Sequence, residues 1–310
     1  MTDEPPKTTP LGDGYVTRWA THTNGDTPNS HDTIRLYTPA ELLTFPEPTW
    51  LVEPFIVDAS LSILYGASGT FKSFIALSWA AQAPGLAIYI SAEGSPKRLG
   101  ERIHALEHET KLPANILTIP HAVNLIHEAG TLTHTLDQLP IQPRLLIVDT
   151  AARNMAGHDE NSTKDMGSLV AELDAIRYRY QLSVLIIHHS GHENTDRERG
   201  SSALRGAADV SIHAKRGDTP LTVKLRCAKT RDTAEFEPCI ITLHPTLDTL
   251  IAGQPITPQT ELENTVRAYL TTNPNATQNE VEAHVPGRAA NIRRAFHKIK
   301  NSGTHPNPHD

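Results

Sequence analysis

The amino-acid sequence predicts an α/β protein with a mainly parallel central sheet, an antiparallel extension at one sheet edge, and a small helical module near the C-terminal end. Three observations predict this class. Short apolar runs bounded by turn residues alternate with longer amphipathic segments between residue 50 and about residue 250. After Asp209 the strand pattern continues without long helices between the runs. From about residue 260, three short helical patterns follow one another.

The first group of apolar runs has the length and the Ile, Leu and Val content of strands that are buried on both faces. These runs are 60–66, 86–93, 144–150 and 182–190, and the segments predicted as helices between them are 72–82, 95–109 and 165–180. Alternation of strand and helix implies parallel strands joined by right-handed crossovers. The later runs alternate apolar and polar residues, which predicts antiparallel pairing, at 209–216, 219–231 and 235–245.

Composition divides the chain into five segments. Residues 1–45 are rich in Thr, Pro, Asp and Asn and predict a loosely ordered arm. A large α/β domain is expected over 46–252, a proline-bearing linker over 253–259, a helical module over 260–301 and a disordered tail over 302–310. Within the module, Thr277 and Glu280 form a capping-box signal, and helix, turn and basic last helix resemble a helix-turn-helix or winged helix.

Composition also limits the classes of function. The 310 residues are 38% hydrophobic and carry a formal net charge of −7, which argues against a uniformly basic nucleic-acid-coating protein but not against a local basic channel. Cys227 and Cys239 lie in apolar-alternating runs and are expected to be buried thiols in a reducing compartment. The sequence shows neither a secretion signal nor an uncharged run of about 18 residues, so we expect a cytoplasmic protein without a membrane partner.

The clearest chemical motif is GASGTFKS at residues 66–73, which follows a predicted strand and opens a predicted helix. Gly66 and Gly69 let the backbone curl so that its N–H groups face phosphate oxygens. Lys72 is predicted to reach the β- and γ-phosphates of ATP, and the Ser73 hydroxyl to bind magnesium. Phe71 stands where Gly is usual, so its ring is expected to lie outside the phosphate path. The predicted phosphate-binding residues are Gly66, Ala67, Ser68, Gly69, Thr70, Phe71, Lys72 and Ser73.

A second element supports the same site. The apolar run RLLIVDT at 144–150 ends in Asp149, whose carboxylate would lie at the C-terminal edge of its strand beside the loop. A carboxylate in this place is suited to hold the magnesium shell, as a Walker B aspartate does. The sequence therefore predicts ATP and Mg²⁺ as the ligands, with Ser73 and Asp149 on the metal side.

Over roughly residues 50–245 the chain resembles the RecA-like ATPases, and among them the hexameric plasmid helicases of the RepA type and related phage ATPases. Glu93, in YISAEGSP, is similar to the family's general base that activates water. A polar residue at the end of LSVLIIHHS resembles the family's γ-phosphate sensor. His189 is favoured for this role, because His188 continues the apolar run and fits a core histidine.

Lys229 and Arg231 match the family's Lys-x-Arg pair, which the resemblance places in the ATP site of a neighbouring subunit. Such a site implies a homo-oligomer, and the resemblance implies a hexameric ring. In the alternative interpretation, the two side chains share one face of a strand and simply point to water.

Two polar loops, 152–166 and 191–209, follow the sheet on the side where RecA-like proteins bind single-stranded DNA. Their arginines are candidate phosphate contacts in a pore: Arg153, Arg197, Arg199 and Arg205. Acidic residues are interleaved with them, so solvated loops are the competing interpretation. The segment RGSSALRGAAD also resembles a family segment, by which Arg199, Ser201 and Arg205 would instead sense the nucleotide state.

The leading hypothesis is an ATP-driven ring motor on single-stranded DNA, a replicative helicase of plasmid or phage type. The alternatives are a RecA-like recombination ATPase that forms filaments, and an ATP-switched DNA-binding regulator. For the C-terminal module the sequence leaves open DNA binding, docking of a primase, initiator or loader, and plain solvated charge. The basic residues concerned are Arg288, Arg293, Arg294 and Lys298.

Overall fold

The computed structural model describes residues 36–190 and 202–302. The chain divides into two compact units, Met1–Glu47 and Pro48–Asp310. The described part of the first unit contains one short helix, α1 (Pro39–Leu42). This helix has a complete capping box, in which the side chain of Thr38 accepts from the backbone of Glu41 and the side chain of Glu41 accepts from the backbone of Thr38.

The second unit is built on a nine-stranded sheet. Six of its strands pair in parallel, which confirms the predicted parallel sheet. A separate two-stranded sheet pairs β1 (Trp50–Val52) with β2 (Ile56–Val57). The strands of the parallel part are β3 (Leu61–Gly66), β4 (Leu86–Ser91), β5 (Ile116–Ile119), β6 (Pro143–Asp149), β7 (Ser183–His189) and β8 (Val210–Arg216).

Helices cover both faces of this sheet. The strands alternate their side chains between two cores: Leu64 of β3 faces one core and Ile63 faces the other. The helices of the first core are α2 (Lys72–Gln82) and α3 (Pro96–Thr110). The helices of the second are α4 (Ala129–Asp137), α5 (Thr163–Tyr180) and α6 (Ser202–Ala207). Because both faces are buried, the strands read as continuous apolar runs. Strand β5 and helix α4 are additions to the sequence prediction.

The antiparallel extension is confirmed. Strand β9 (Thr222–Thr230) pairs with β8, β10 (Cys239–Thr246) with β9, and β11 (Thr249–Ile256) with β10. The order of the whole sheet is therefore β11-β10-β9-β8-β3-β7-β6-β4-β5. The linker predicted at 253–259 begins too early, because residues 253–256 continue β11 and pair with β10. Pro255 is compatible with this ladder since β11 is an edge strand, where a missing N–H costs no inner-sheet hydrogen bond.

The helical module contains α7 (Pro258–Thr272), α8 (Gln278–His284) and α9 (Ala289–Ser302). Thr277 caps α8 with the capping box that the sequence predicts. The three helices enclose a small apolar core, and residues 258–302 contain no strand that could serve as a wing. The buried core residues are Val266, Leu270, Val281, Val285, Ile292 and Ala295.

No helix among the residues that the structure describes has the length and apolar character needed to cross a membrane.

Candidate phosphate and magnesium site

The phosphate loop lies at the C-terminal end of β3, in the middle of the sheet. Gly66 pairs with His189 of β7, and on its other side the backbone carbonyl of Ala214 in β8 occupies the place that a Cβ would need. Only glycine fits between these strands. Gly69 has a φ of +77°, a left-handed conformation that glycine adopts without strain. Glycine is therefore required at position 66 by lack of space for a Cβ and favoured at position 69 by the backbone conformation.

Lys72 begins α2 and is 5% exposed. Its Nζ donates to the backbone oxygens of Gly66 (2.8 Å) and Ala67 (2.9 Å) and to Thr70 Oγ1 (3.4 Å). Burial lowers the pKa of Lys72 to about 8, against the opposing effect of the carboxylates of Asp149 and Glu93. The Lys72 ammonium therefore lies inside the curl of the loop, where the sequence predicts the phosphate groups.

Phe71 adopts the left-handed conformation, with φ 59° and ψ 21°. The Phe71 ring packs edge-on against the ring of Phe74, with 5.9 Å between the centroids. The guanidinium of Arg216 lies over the Phe71 ring, 4.1 Å from its centroid. Arg102 lies in the same way over Phe74, at 4.3 Å. The bulky side chain thus has its own packing site, a ladder of Arg216, Phe71, Phe74 and Arg102 beside the loop. Sequence reasoning did not find the two arginines.

Asp149 ends β6 and is 5% exposed. Tyr89 of the neighbouring strand β4 donates its hydroxyl to Asp149 Oδ2 at 2.6 Å. Burial raises the pKa of Asp149, while its hydrogen bonds with Tyr89 and Ser73 oppose that rise. The hydroxyl of Ser73 and the carboxylate of Asp149, the two predicted magnesium ligands, are therefore in hydrogen-bonding contact.

Tyr89 is a residue that sequence reasoning missed. The available signal was a phenol inside the apolar run LAIYIS, since a buried tyrosine hydroxyl requires a hydrogen-bond partner. Because Tyr89 pairs with Ile147 in the β4–β6 register, two residues before Asp149, the two side chains point to the same face of the sheet.

Glu93 lies two residues after the end of β4, and its side chain contacts Thr150, the residue after Asp149. Thr150 Oγ1 donates to Glu93 Oε1 at 3.2 Å, and the backbone N–H of Ala92 donates to the Asp149 carbonyl at 2.8 Å. The negative charge of the Glu93 carboxylate makes an upward contribution to the pKa of Lys72, Asp149 and His189, although burial lowers the pKa of Lys72 and of His189 overall. The side chain itself is exposed, so it borders the buried site from the solvent side.

The two histidines at the end of β7 differ in burial. His188 is 1% exposed and lies in the strand interior, whereas His189 is half-buried at the strand end beside Gly66. Burial lowers the pKa of His189, and the nearby charge of Lys72 lowers it further. A neutral imidazole with this exposure is suited to donate a hydrogen bond to a phosphate.

Lys229 and Arg231 both contact the C-terminal end of α6 within the same chain. Lys229 Nζ donates to the carbonyls of Arg205 (2.8 Å), Gly206 (2.9 Å) and Ala208 (2.6 Å). Arg231 forms an ion pair with Asp209 at 2.9 Å and donates to the Gly206 carbonyl at 3.0 Å, and its side chain remains 48% exposed. The two residues therefore differ: Lys229 donates to three carbonyls, whereas Arg231 has one ion pair and a half-exposed side chain.

The predicted DNA contacts are only partly described. Arg153 is exposed in a 3₁₀ turn (Ala152–Met155) directly after β6, and Arg205 Nη2 donates to the Ala228 carbonyl at 3.3 Å. Arg197, Arg199 and Ser201 lie outside the described residues.

The donor set fits Mg²⁺ held jointly by protein and phosphate. Within residues 36–190 and 202–302, no group of three or more His, Cys, Asp or Glu side chains could hold a metal ion alone. Magnesium in nucleotide sites is typically bound through one or two protein oxygens, with phosphate and water completing the octahedron. The Ser73 hydroxyl and the Asp149 carboxylate are such a pair.

Comparison with known proteins finds two similarities. A family model described as an AAA domain matches residues 38–195. The fold is also similar to the crystal structure of the RadB recombinase, with 16% sequence identity and a TM-score of 0.48 over 61% of this chain and 89% of that chain.

Proposed function

This chain belongs to the AAA domain family, and we propose that it is an ATP-hydrolysing ring motor that acts on single-stranded DNA. The single observation that carries the ATPase part is the convergence of Lys72, Ser73, Asp149, Glu93 and His189. These residues come from four neighbouring strand ends, those of β3, β4, β6 and β7, and nearby charges of the set contribute to the pKa shifts of Lys72, Asp149 and His189.

Each of these residues has a role that its environment supports. Lys72 and the loop backbone bind the β- and γ-phosphates, and Ser73 and Asp149 hold Mg²⁺. Bound Mg²⁺ supplies positive charge that neutralises the phosphate oxygens. Glu93 accepts a proton from the attacking water, a role that its solvent-facing carboxylate at the site edge supports. His189 donates to the γ-phosphate and so reports its presence to β7.

The trans-acting part of the proposal now rests on Arg231 more than on Lys229. Within this chain the Lys229 ammonium donates to three carbonyls at the end of α6 and so fixes that helix in place. Arg231 is half exposed, and its ion pair with Asp209 can exchange for a partner phosphate. In a ring, Arg231 of one subunit would stabilise the transition state in the next.

Single-stranded DNA is proposed as the polymer because the exposed Arg153 follows directly on the strand that carries Asp149. A contact at Arg153 would therefore be coupled to the magnesium site through one turn of backbone. The hexameric assembly, the helicase activity of plasmid or phage type, and a primase or initiator partner remain part of this proposal.

Three measurements test it. ATP hydrolysis should rise severalfold with an unstructured single strand, and Lys72→Ala should abolish it. Mass measurement with ATP and oligo-dT should give a closed hexamer, and a forked duplex should be unwound. An open filament that exchanges strands without unwinding would identify a recombinase instead, and hydrolysis that is indifferent to DNA would refute the DNA motor.

A further inference from the structure

We propose that helix α9 is a recognition helix that binds the major groove of duplex DNA, separately from the ATP site. The first observation is architectural. Helices α8 and α9 are joined by the short turn 285–288, which contains Gly287 at φ +148°, and both helices pack on the same small core as α7. Two helices joined by a short glycine-containing turn form the helix-turn-helix unit, in which the second helix enters the groove.

The second observation is charge. The sequence of α9, AANIRRAFHKIKNS, contains arginine and lysine but neither aspartate nor glutamate. The chain as a whole has a formal net charge of −7. A helix without acidic residues on an acidic protein is complementary to a polyanion.

The third observation separates the cations of α9 into two classes. Arg293 forms an ion pair with Glu282 at 2.9 Å, Lys298 pairs with Glu263 at 2.7 Å, and Lys300 donates to the Pro274 carbonyl at 3.0 Å. These three side chains fasten α9 to α7, α8 and the turn between them. Their charges therefore have structural partners within the module and give no evidence for DNA binding.

Arg294 and the preceding Arg288 are different. Both are exposed, and within the described residues neither side chain forms a hydrogen bond or an ion pair. Ile292 and Ala295 face the core, so Arg294 points away from it together with Ala290 and Asn291. The outward face of α9 thus combines small residues, which permit close approach, with arginine and asparagine, which read guanine and adenine edges.

Duplex DNA fits this face better than other polyanions. Proteins that bind single strands typically stack bases on several exposed Phe, Tyr or Trp rings, whereas the outward positions 290, 291, 294 and 297 carry Ala, Asn, Arg and His. The major groove of B-form DNA admits an α-helix, whereas the deep, narrow major groove of duplex RNA does not.

The test uses the full chain, without nucleotide, and fluorescence anisotropy with a labelled DNA duplex. Replacing Arg288 and Arg294 together by Ala should lower the affinity about tenfold and reduce the salt dependence by roughly one unit of slope per lost phosphate contact. Arg293→Ala is the matched control, because it removes the adjacent arginine of the same helix, and it should change the affinity by less than about twofold.

Three results would overturn the proposal: no duplex binding by the unmodified chain, an equal loss for Arg293→Ala and Arg294→Ala, or an equal effect of Arg294→Ala on duplex RNA. Circular dichroism checks that each variant is folded. DNA-stimulated ATP hydrolysis should be unchanged in the double variant, so failure of this proposal and failure of the proposed motor are distinguishable.

Discussion

The hydroxyl of Tyr89 donates to Asp149 Oδ2 at 2.6 Å, and both side chains are buried beside the start of α2. This bond leaves Asp149 one fixed orientation, with Ser73 as its other hydrogen-bond partner. Tyr89 therefore acts as a positioning residue for the proposed magnesium ligand, in the way that outer partners orient metal-binding carboxylates.

Tyr89→Phe should raise the Mg²⁺ concentration needed for half-maximal binding of an ATP analogue by about tenfold, because the carboxylate loses its oriented donor. The measurement is a magnesium titration of a fluorescent nucleotide. Tyr180→Phe is the matched control, since it removes a similar tyrosine–aspartate bond, to Asp137 at 2.7 Å, outside the site. Equal shifts in both variants would show that the bond is only structural.

The left-handed backbone of Phe71 is expected to be strained. Phe71→Ala and Phe71→Gly both remove the ring contacts with Phe74 and Arg216, but only Ala keeps the cost of the left-handed backbone. The free energy of unfolding should therefore be roughly 1 kcal/mol lower for the Ala variant than for the Gly variant. Denaturant unfolding measures it.

The same two variants test where the ring lies. If the ring is outside the phosphate path, Phe71→Gly should bind the ATP analogue within a few-fold of the unmodified chain. A gain or loss of much more than tenfold would place the ring against the nucleotide instead.

Lys229→Met should loosen α6, because three carbonyls at its C-terminal end lose their shared charged donor, and a hydrogen bond to a charged group contributes roughly 1.5–3 kcal/mol. Amide hydrogen exchange over residues 202–208 should accelerate at any protein concentration and without nucleotide. Unchanged exchange, together with a loss of hydrolysis alone, would return Lys229 to the role of a trans-acting cation.

Arg231→Ala should retain ATP binding and lose hydrolysis by about 10³-fold, as removal of a transition-state arginine does. Mixing it with unmodified chain should reduce activity more steeply than dilution. Arg144→Ala is the matched control, because Arg144 is also half exposed and paired with an aspartate, Asp58, at 2.6 Å. A mixture that loses activity in simple proportion would contradict a site shared between subunits.

Local patterns in the sequence were sufficient for the class of fold and for the positions of the residues that form the proposed ATP site. The apolar runs predicted the parallel strands, and the positions of Gly66, Lys72, Ser73 and Asp149 followed from a loop between strand and helix and from a carboxylate at a strand end. These features depend on residues near one another in the chain, whose spacing fixes their geometry.

Tertiary structure decided which distant residues meet. Tyr89 reaches Asp149 because β4 and β6 are neighbours in the sheet, and Arg216 reaches Phe71 because β8 lies beside β3. The same holds for Lys229 at the end of α6, for the continuation of β11 through residues 253–256, and for the pairing of Arg293 with Glu282. Strand order and helix packing depend on how the whole chain buries its apolar surface. The local periodicity of the sequence therefore does not predict which distant residues become partners.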